Sequence, residues 1–141
     1  PTISGSAAVG SQLNVTNTAT SDADGDSSTL TYQWQADGID IAGASGATFT
    51  PTATQAHALI TVIVTADDGF GGSTPVSSAG VTVANSDPSF NGTPVINGSG
   101  TVGSVLSVGK TATTDNDTDA VSLSYQWQAD GVDIAGATGD T

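Results

Sequence analysis

Apolar and polar residues alternate through Leu30-Thr31-Tyr32-Gln33-Trp34-Gln35-Ala36. Leu30, Tyr32, Trp34 and Ala36 fall on one side, and Thr31, Gln33 and Gln35 on the other. A period of two predicts a strand with one buried face. The pattern returns at Leu123-Ser124-Tyr125-Gln126-Trp127-Gln128-Ala129, 93 positions later. These two stretches hold both Trp and both Tyr of the chain. Each is predicted to run through the middle of its own core.

The repetition extends beyond these strands. Residues 1–48 align with 94–141 without a gap, and about 30 of the 48 pairs are identical. Such similarity indicates tandem duplication, and a unit of this size suits a small sandwich domain better than a solenoid coil. In the first unit the pattern predicts strands near 2–4, 12–18, 29–36, 39–41, 48–50, 59–66 and 77–84. Leu13, Val15, Ile60, Val62, Val64, Val81 and Val83 point inward. Asp37-Gly38 and Asp67-Asp68-Gly69-Phe70-Gly71-Gly72 are turns. The expected fold is all-β: immunoglobulin-like β-sandwich repeats in tandem, one complete over 1–84 and one partial over 94–141, joined by a linker at 85–93. The second unit carries counterparts of the early strands only. Either it is an excerpt of a longer array, or another chain completes it by strand addition.

Charge sharpens this picture. The chain has 14 acidic residues, all Asp, against Lys110 as its one cation, and a net charge of -13. Nucleic acid and anionic membranes are therefore poor partners. Asp without Glu suits turns and oxygen ligation of hard cations. With no Cys, disulfides and thiolate metal sites are excluded. No apolar run reaches membrane-spanning length, and the start at Pro1 without Met reads as a piece of something longer.

The chemistry-bearing motif is Asp22-Ala-Asp24-Gly-Asp26, echoed as Asp115-Asn-Asp117-Thr-Asp119. Three carboxylates at alternate loop positions can converge on Ca²⁺, which takes about six to eight oxygens. The spacing is not that of an EF-hand, because Gln33 stands where the last acid belongs. In a sandwich of immunoglobulin type this loop lies at the end where the chain enters. That places Asp115, Asp117 and Asp119 by Asp87 of the linker, and Asp22, Asp24 and Asp26 near Asp67 and Asp68. A shared Ca²⁺ is expected to stiffen the joint between repeats. The plain alternative is a solvated polar loop.

Thr20-Ser-Asp22-Ala-Asp24-Gly-Asp26 leading into Leu30-Thr31-Tyr32 resembles bacterial immunoglobulin-like and cadherin-like tandem repeats. Tyr32-Gln-Trp34-Gln, Asp37-Gly38, Ile41-Ala-Gly43-Ala44 and Thr48-Phe-Thr50-Pro51 are similar to repeats of giant surface proteins and adhesins. Ile60-Thr-Val62-Ile-Val64 and Asp67-Asp-Gly69-Phe-Gly71 extend the likeness over nearly the whole chain. The resemblance implies an extracellular β-sandwich spacer, often calcium-dependent; of the function classes, an enzyme is the least expected. His57 departs from it, since such repeats usually carry Gly at that corner.

Other residues invite weaker readings. His57 is the one histidine, with no Cys or Glu to build a zinc or catalytic site around it. Adjacent Asp67-Asp68 lack the cross-cleft separation of a hydrolytic pair. Trp34 and Trp127 alternate with Leu and Tyr, as core residues do, rather than standing as sugar platforms. Phe70, amid glycines, is the better candidate for an exposed aromatic. Lys110 has Asn17 as its counterpart, which speaks against a repeated isopeptide crosslink. Sequons at Asn14, Asn91, Asn97 and Asn116 matter only in a glycosylating host. The expected function is thus a structural spacer whose partners are neighbouring repeats or identical chains in a filament. The alternatives are a subunit polymerising by interchain strand complementation, and a glycan-binding module.

Overall fold

The computed structural model describes residues 1–109 and 112–141, so Lys110 lies outside the described residues. The chain is all-β and divides into two compact units, Pro1–Ser86 and Asp87–Thr141.

The first unit contains β1 (Thr2–Ser4), β2 (Leu13–Thr16), β3 (Thr29–Ala36), β4 (Ile39–Asp40), β5 (Thr48–Phe49), β6 (Leu59–Asp67), β7 (Ser73–Ser77) and β8 (Val81–Thr82). One sheet has the order β1-β2-β5. The other has the order β4-β3-β6-β7, with β8 also paired to β6. All these pairings are antiparallel. The two sheets enclose one core. Leu13 of β2, Trp34 of β3 and Ile60 and Val62 of β6 are fully buried, and Val83 nearly so. Complete burial of each aliphatic side chain contributes about 1.5–3 kcal/mol.

The alternation that predicted β3 and β6 also sets their register. Tyr32 faces Val64, Trp34 faces Val62 and Ala36 faces Ile60. Inward residues of both strands therefore meet on one face. Trp34 also packs on Phe49 of the opposite sheet, with ring centroids 5.5 Å apart. Its indole N–H donates to the Gly46 carbonyl at 2.9 Å, which satisfies the polar edge of a fully buried ring. The turn between β3 and β4 places Asp37 (φ 50°) and Gly38 (φ 80°) in the left-handed region, as a two-residue type I′ hairpin requires. His57 also takes a positive φ, 64°, at the corner before β6. That backbone favours the glycine which the resemblance led one to expect there.

The last strand differs from its predicted span of 77–84. Pairing with β6 begins at Ser73 and is interrupted between Ser77 and Val81. Ser77 opposes Ile63 and Val81 opposes Ile60, so the outer strand carries one extra residue there. This is a β-bulge. Ser78 is buried within it and closes the gap twice. Its N–H donates to the Val62 carbonyl at 2.9 Å, and its Oγ accepts the Val62 N–H at 3.1 Å.

The second unit contains β9 (Ser89–Asn91), β10 (Val95–Asn97), β11 (Ser107–Gly109), β12 (Ala112–Thr114), β13 (Gln128–Ala129) and β14 (Val132–Asp133). They pair as three two-stranded ribbons: β9 with β12, β10 with β11, and β13 with β14. The stretch read as a linker therefore includes a strand, β9. Its partner β12 corresponds in sequence to 19–21, which is not a strand in the first unit. Strand character there follows the partner, not the local sequence.

Several details recur at the 93-residue offset. Thr2 opposes Thr16 as Val95 opposes Gly109. Gly5 (φ 114°) and Gly98 (φ 119°) lie so close to the carbonyls of Gln12 and Val105 that a Cβ would stand 2.5 Å from either oxygen. The Trp127 indole donates to Gly139 at 2.9 Å, as Trp34 does to Gly46. The fold around the two tryptophans nevertheless differs. Leu123–Trp127 has no strand partner among the described residues, whereas Leu30–Trp34 lies within β3.

Candidate metal centre

The acidic loop of the first unit leaves β2 and re-enters the sheet at β3. Asp22 turns it: its Oδ1 accepts the Asp24 N–H at 3.1 Å, the side-chain turn that Asp forms with the backbone two residues on. Gly25 follows with φ 87°, a left-handed position that glycine takes without steric cost. The result is convergence. Carboxylate oxygens of Asp22, Asp24 and Asp26 lie within 4.8 Å of one another. Asp22 is half-buried, and the other two are exposed. Asp22 is held below the ordinary carboxylate value of 3.8, first by a hydrogen bond from the Asp24 side chain and then by the Asp24 N–H. Burial works against this, while the Asp26 and Gly25 N–H groups add to it.

Asp68 borders the same open groove as Asp22, a space of about 470 Å³ that also takes in Ser21 and Ser73. Asp67 and Asp68 are not part of the converging trio. The Asp67 carboxylate accepts the Gly69 N–H at 2.8 Å, and Asp68 accepts from Phe70 and Gly72 at 2.7 and 3.0 Å. Their oxygens shape the β6–β7 hairpin. Phe70 at its tip is 83% exposed, the position expected of the free aromatic.

The second acidic loop starts alike and then diverges. Asp115 Oδ1 accepts the Asp117 N–H at 3.0 Å. At the place of Gly25 stands Thr118, with φ 64°. A β-branched residue is strained in that region. Asp117 is buried and Asp119 exposed. The Asp115 carboxyl is raised above 3.8, chiefly by its hydrogen bond with the Asp117 side chain, then by burial and by the negative charges of Asp117 and Asp119. Among the described residues, Asp115, Asp117 and Asp119 do not close into a trio like that of Asp22. Asp87 is exposed. The register of β9 on β12 pairs Ser89 with Thr114, so Asp87 and Asp115 leave the ribbon at the same end.

Chemically, the first loop offers three oxygen ligands open to solvent, a donor set suited to a hard divalent cation. Alternate acids in the sequence pointed to this loop. The strain at Thr118 was hidden there, although the mismatch with Gly25 is its visible trace.

Among the described residues no helix is long and apolar enough to cross a membrane. Comparison with family models, with curated proteins and with solved structures gave no match, so the all-β fold and the acidic loop carry the functional reading.

Proposed function

We propose that this chain is a structural spacer module of an extracellular surface protein, built from immunoglobulin-like repeats, and that its acidic loops take Ca²⁺. The observation that carries the reading is the convergence of Asp22, Asp24 and Asp26 within 4.8 Å in a loop whose acids recur at the repeat offset. In a chain of net charge -13, gathered carboxylates repel one another until a cation bridges them. The cation then couples loop order to ion concentration and stiffens the end of the sandwich. That Asp87 and Asp115 leave the β9–β12 ribbon at the same end supports a role for the Asp87 carboxylate at the second loop.

The test is thermal unfolding in chelator, in Ca²⁺ and in Mg²⁺ at matched ionic strength. Binding to the folded state raises the melting temperature with Ca²⁺ concentration by mass action. The D22N/D24N/D26N variant is expected to lose most of that rise. An identical melting curve in chelator and Ca²⁺ would sink the reading.

A further inference from the structure

The chain has two Asn–Gly steps, Asn91-Gly92 and Asn97-Gly98, both in the second unit. Asn91 is the last residue of β9 and Asn97 the last of β10, and all four residues are exposed. Both glycines take a positive φ, 113° at Gly92 and 119° at Gly98. A glycine after Asn leaves its main-chain nitrogen open to the Asn side chain, because no Cβ shields it. Sequence, exposure and backbone angle therefore treat the two steps alike.

Their surroundings separate them. A Cβ on Gly98 would stand 2.5 Å from the Val105 carbonyl oxygen and 3.1 Å from Leu106 Cδ2, so this glycine is clamped against the neighbouring backbone. The Asn97 side chain is engaged too. It reaches across the ribbon, with Nδ2 2.9 Å from where a Cβ on Gly109 would stand. The clamp belongs to the repeat, since Gly5 meets the Gln12 carbonyl at the same 2.5 Å in the first unit. Around Gly92, by contrast, no described atom comes within 4 Å of the corresponding position.

We propose that Asn91-Gly92 is a self-modification site, where the folded chain converts asparagine to aspartate and isoaspartate while Asn97-Gly98 is held back. The Gly92 main-chain nitrogen attacks Asn91 Cγ. The Cγ–N bond forms, the Cγ–Nδ2 bond breaks, and Nδ2 leaves as ammonia with the Gly92 amide proton. Water then adds to either carbonyl of the resulting cyclic imide and breaks its bond to the Gly92 nitrogen. Opening at Cγ gives aspartate. Opening at the main-chain carbonyl gives isoaspartate, with the chain rerouted through Cβ and Cγ. Water is the one co-reactant. Either product puts a new carboxylate on β9, where residue 91 opposes Ala112. Isoaspartate also lengthens the main chain there and so disturbs a register that the side-chain period sets. Asn97-Gly98 must leave its clamp before it can react, so its rate carries the cost of local opening. The acidic loops take no part, and the experiment is run in chelator so that it succeeds or fails apart from the calcium reading.

The full chain is incubated at mildly alkaline pH, folded and in concentrated urea, and sampled over time. Peptide mapping by mass spectrometry follows amide-to-acid conversion at each Asn and identifies isoaspartate by fragmentation. In the folded chain, conversion at Asn91 is expected to run about tenfold or more ahead of Asn97, because only Asn97 needs local opening. In urea the clamp is gone, and the two rates are expected to converge. The Asn91→Gln variant is expected to lose the early conversion and keep the slow one at Asn97. Equal rates in the folded chain, or a faster Asn97, overturn the proposal. So does a preference for Asn91 that persists unchanged in urea, since sequence and not geometry then decides. A folded chain that converts at neither site, while the urea-unfolded chain converts at both, overturns it as well.

Discussion

The carboxylate of Asp37 accepts the main-chain N–H of Leu59 at 2.9 Å, while the Asp37 N–H donates to the Leu59 carbonyl at the same distance. One turn residue thereby ties the β3–β4 hairpin to the first residue of β6. Asp130 holds the equivalent turn of the second unit at φ 49°. Asp37→Ala removes the acceptor and puts Ala in the left-handed region, for a loss of about 1–2 kcal/mol. Asp37→Asn keeps an acceptor and tolerates that backbone, so its loss is smaller. Asp130→Ala is expected to leave the first unit unchanged. Urea unfolding followed through the Val62 methyl resonances separates the three.

Ser78→Ala tests the bulge. The variant leaves the buried Val62 N–H without its hydroxyl acceptor, at a cost of about 1–3 kcal/mol. Amide exchange at Val62 accelerates in step with the fall in stability. A change smaller than about 0.5 kcal/mol means the hydroxyl is dispensable there.

The two tryptophans are expected to respond unequally to the same substitution. Trp34→Phe removes a buried donor and shrinks a closed core, lowering stability by about 1–3 kcal/mol. Trp127→Phe loses the matching bond to Gly139 at a half-buried position and costs less. Equal losses in denaturant titrations would contradict the difference in enclosure.

The acidic loops predict opposite titrations. Asp22 is depressed, so its contribution to stability is present above 3.8 and is lost as pH falls through its lowered folded value. Asp115 is raised, so the folded state binds its proton more tightly than the unfolded chain. Its contribution is present below 3.8 and fades as pH rises through the higher folded value. Carboxyl carbon shifts followed from pH 2 to pH 7 are expected to place Asp22 below Asp115. Coincident midpoints would contradict the difference between the loops.

Thr118→Gly is expected to stabilise the second loop. Glycine takes φ 64° without the clash of a β-branched side chain, which relieves about 1 kcal/mol or more, offset in part by its greater freedom when unfolded. The check is slower amide exchange across 115–119, with Gly25→Thr producing the reverse effect in the first loop.

Local pattern made β3 and β6 legible, because their alternating faces meet the same core from paired strands. It also marked the Asp37-Gly38 turn, where the backbone demands what Asp and Gly tolerate. Pairing was harder to read. The break between β7 and β8 depends on one extra residue and on Ser78 replacing a ladder acceptor, which no periodicity signals. β9 exists because Ala112–Thr114 lies beside it. Leu123–Trp127 nearly repeats Leu30–Trp34 yet forms no ladder among the described residues, because pairing depends on a partner strand and not on the local pattern alone. The converging carboxylates were legible as residues, whereas the service of Asp67 and Asp68 to their own hairpin emerged only from the loop geometry.

The bulge at Ser78 also bears on how such sequences tolerate crowding. It lies on the outermost strand of the larger sheet, near Pro75, which has no N–H to offer a neighbour. A short, kinked, proline-bearing border is a poor template for further strands. Near-identical modules at high local concentration are otherwise prone to stick along their borders. Here the outer border of the first unit is blunted against strand addition.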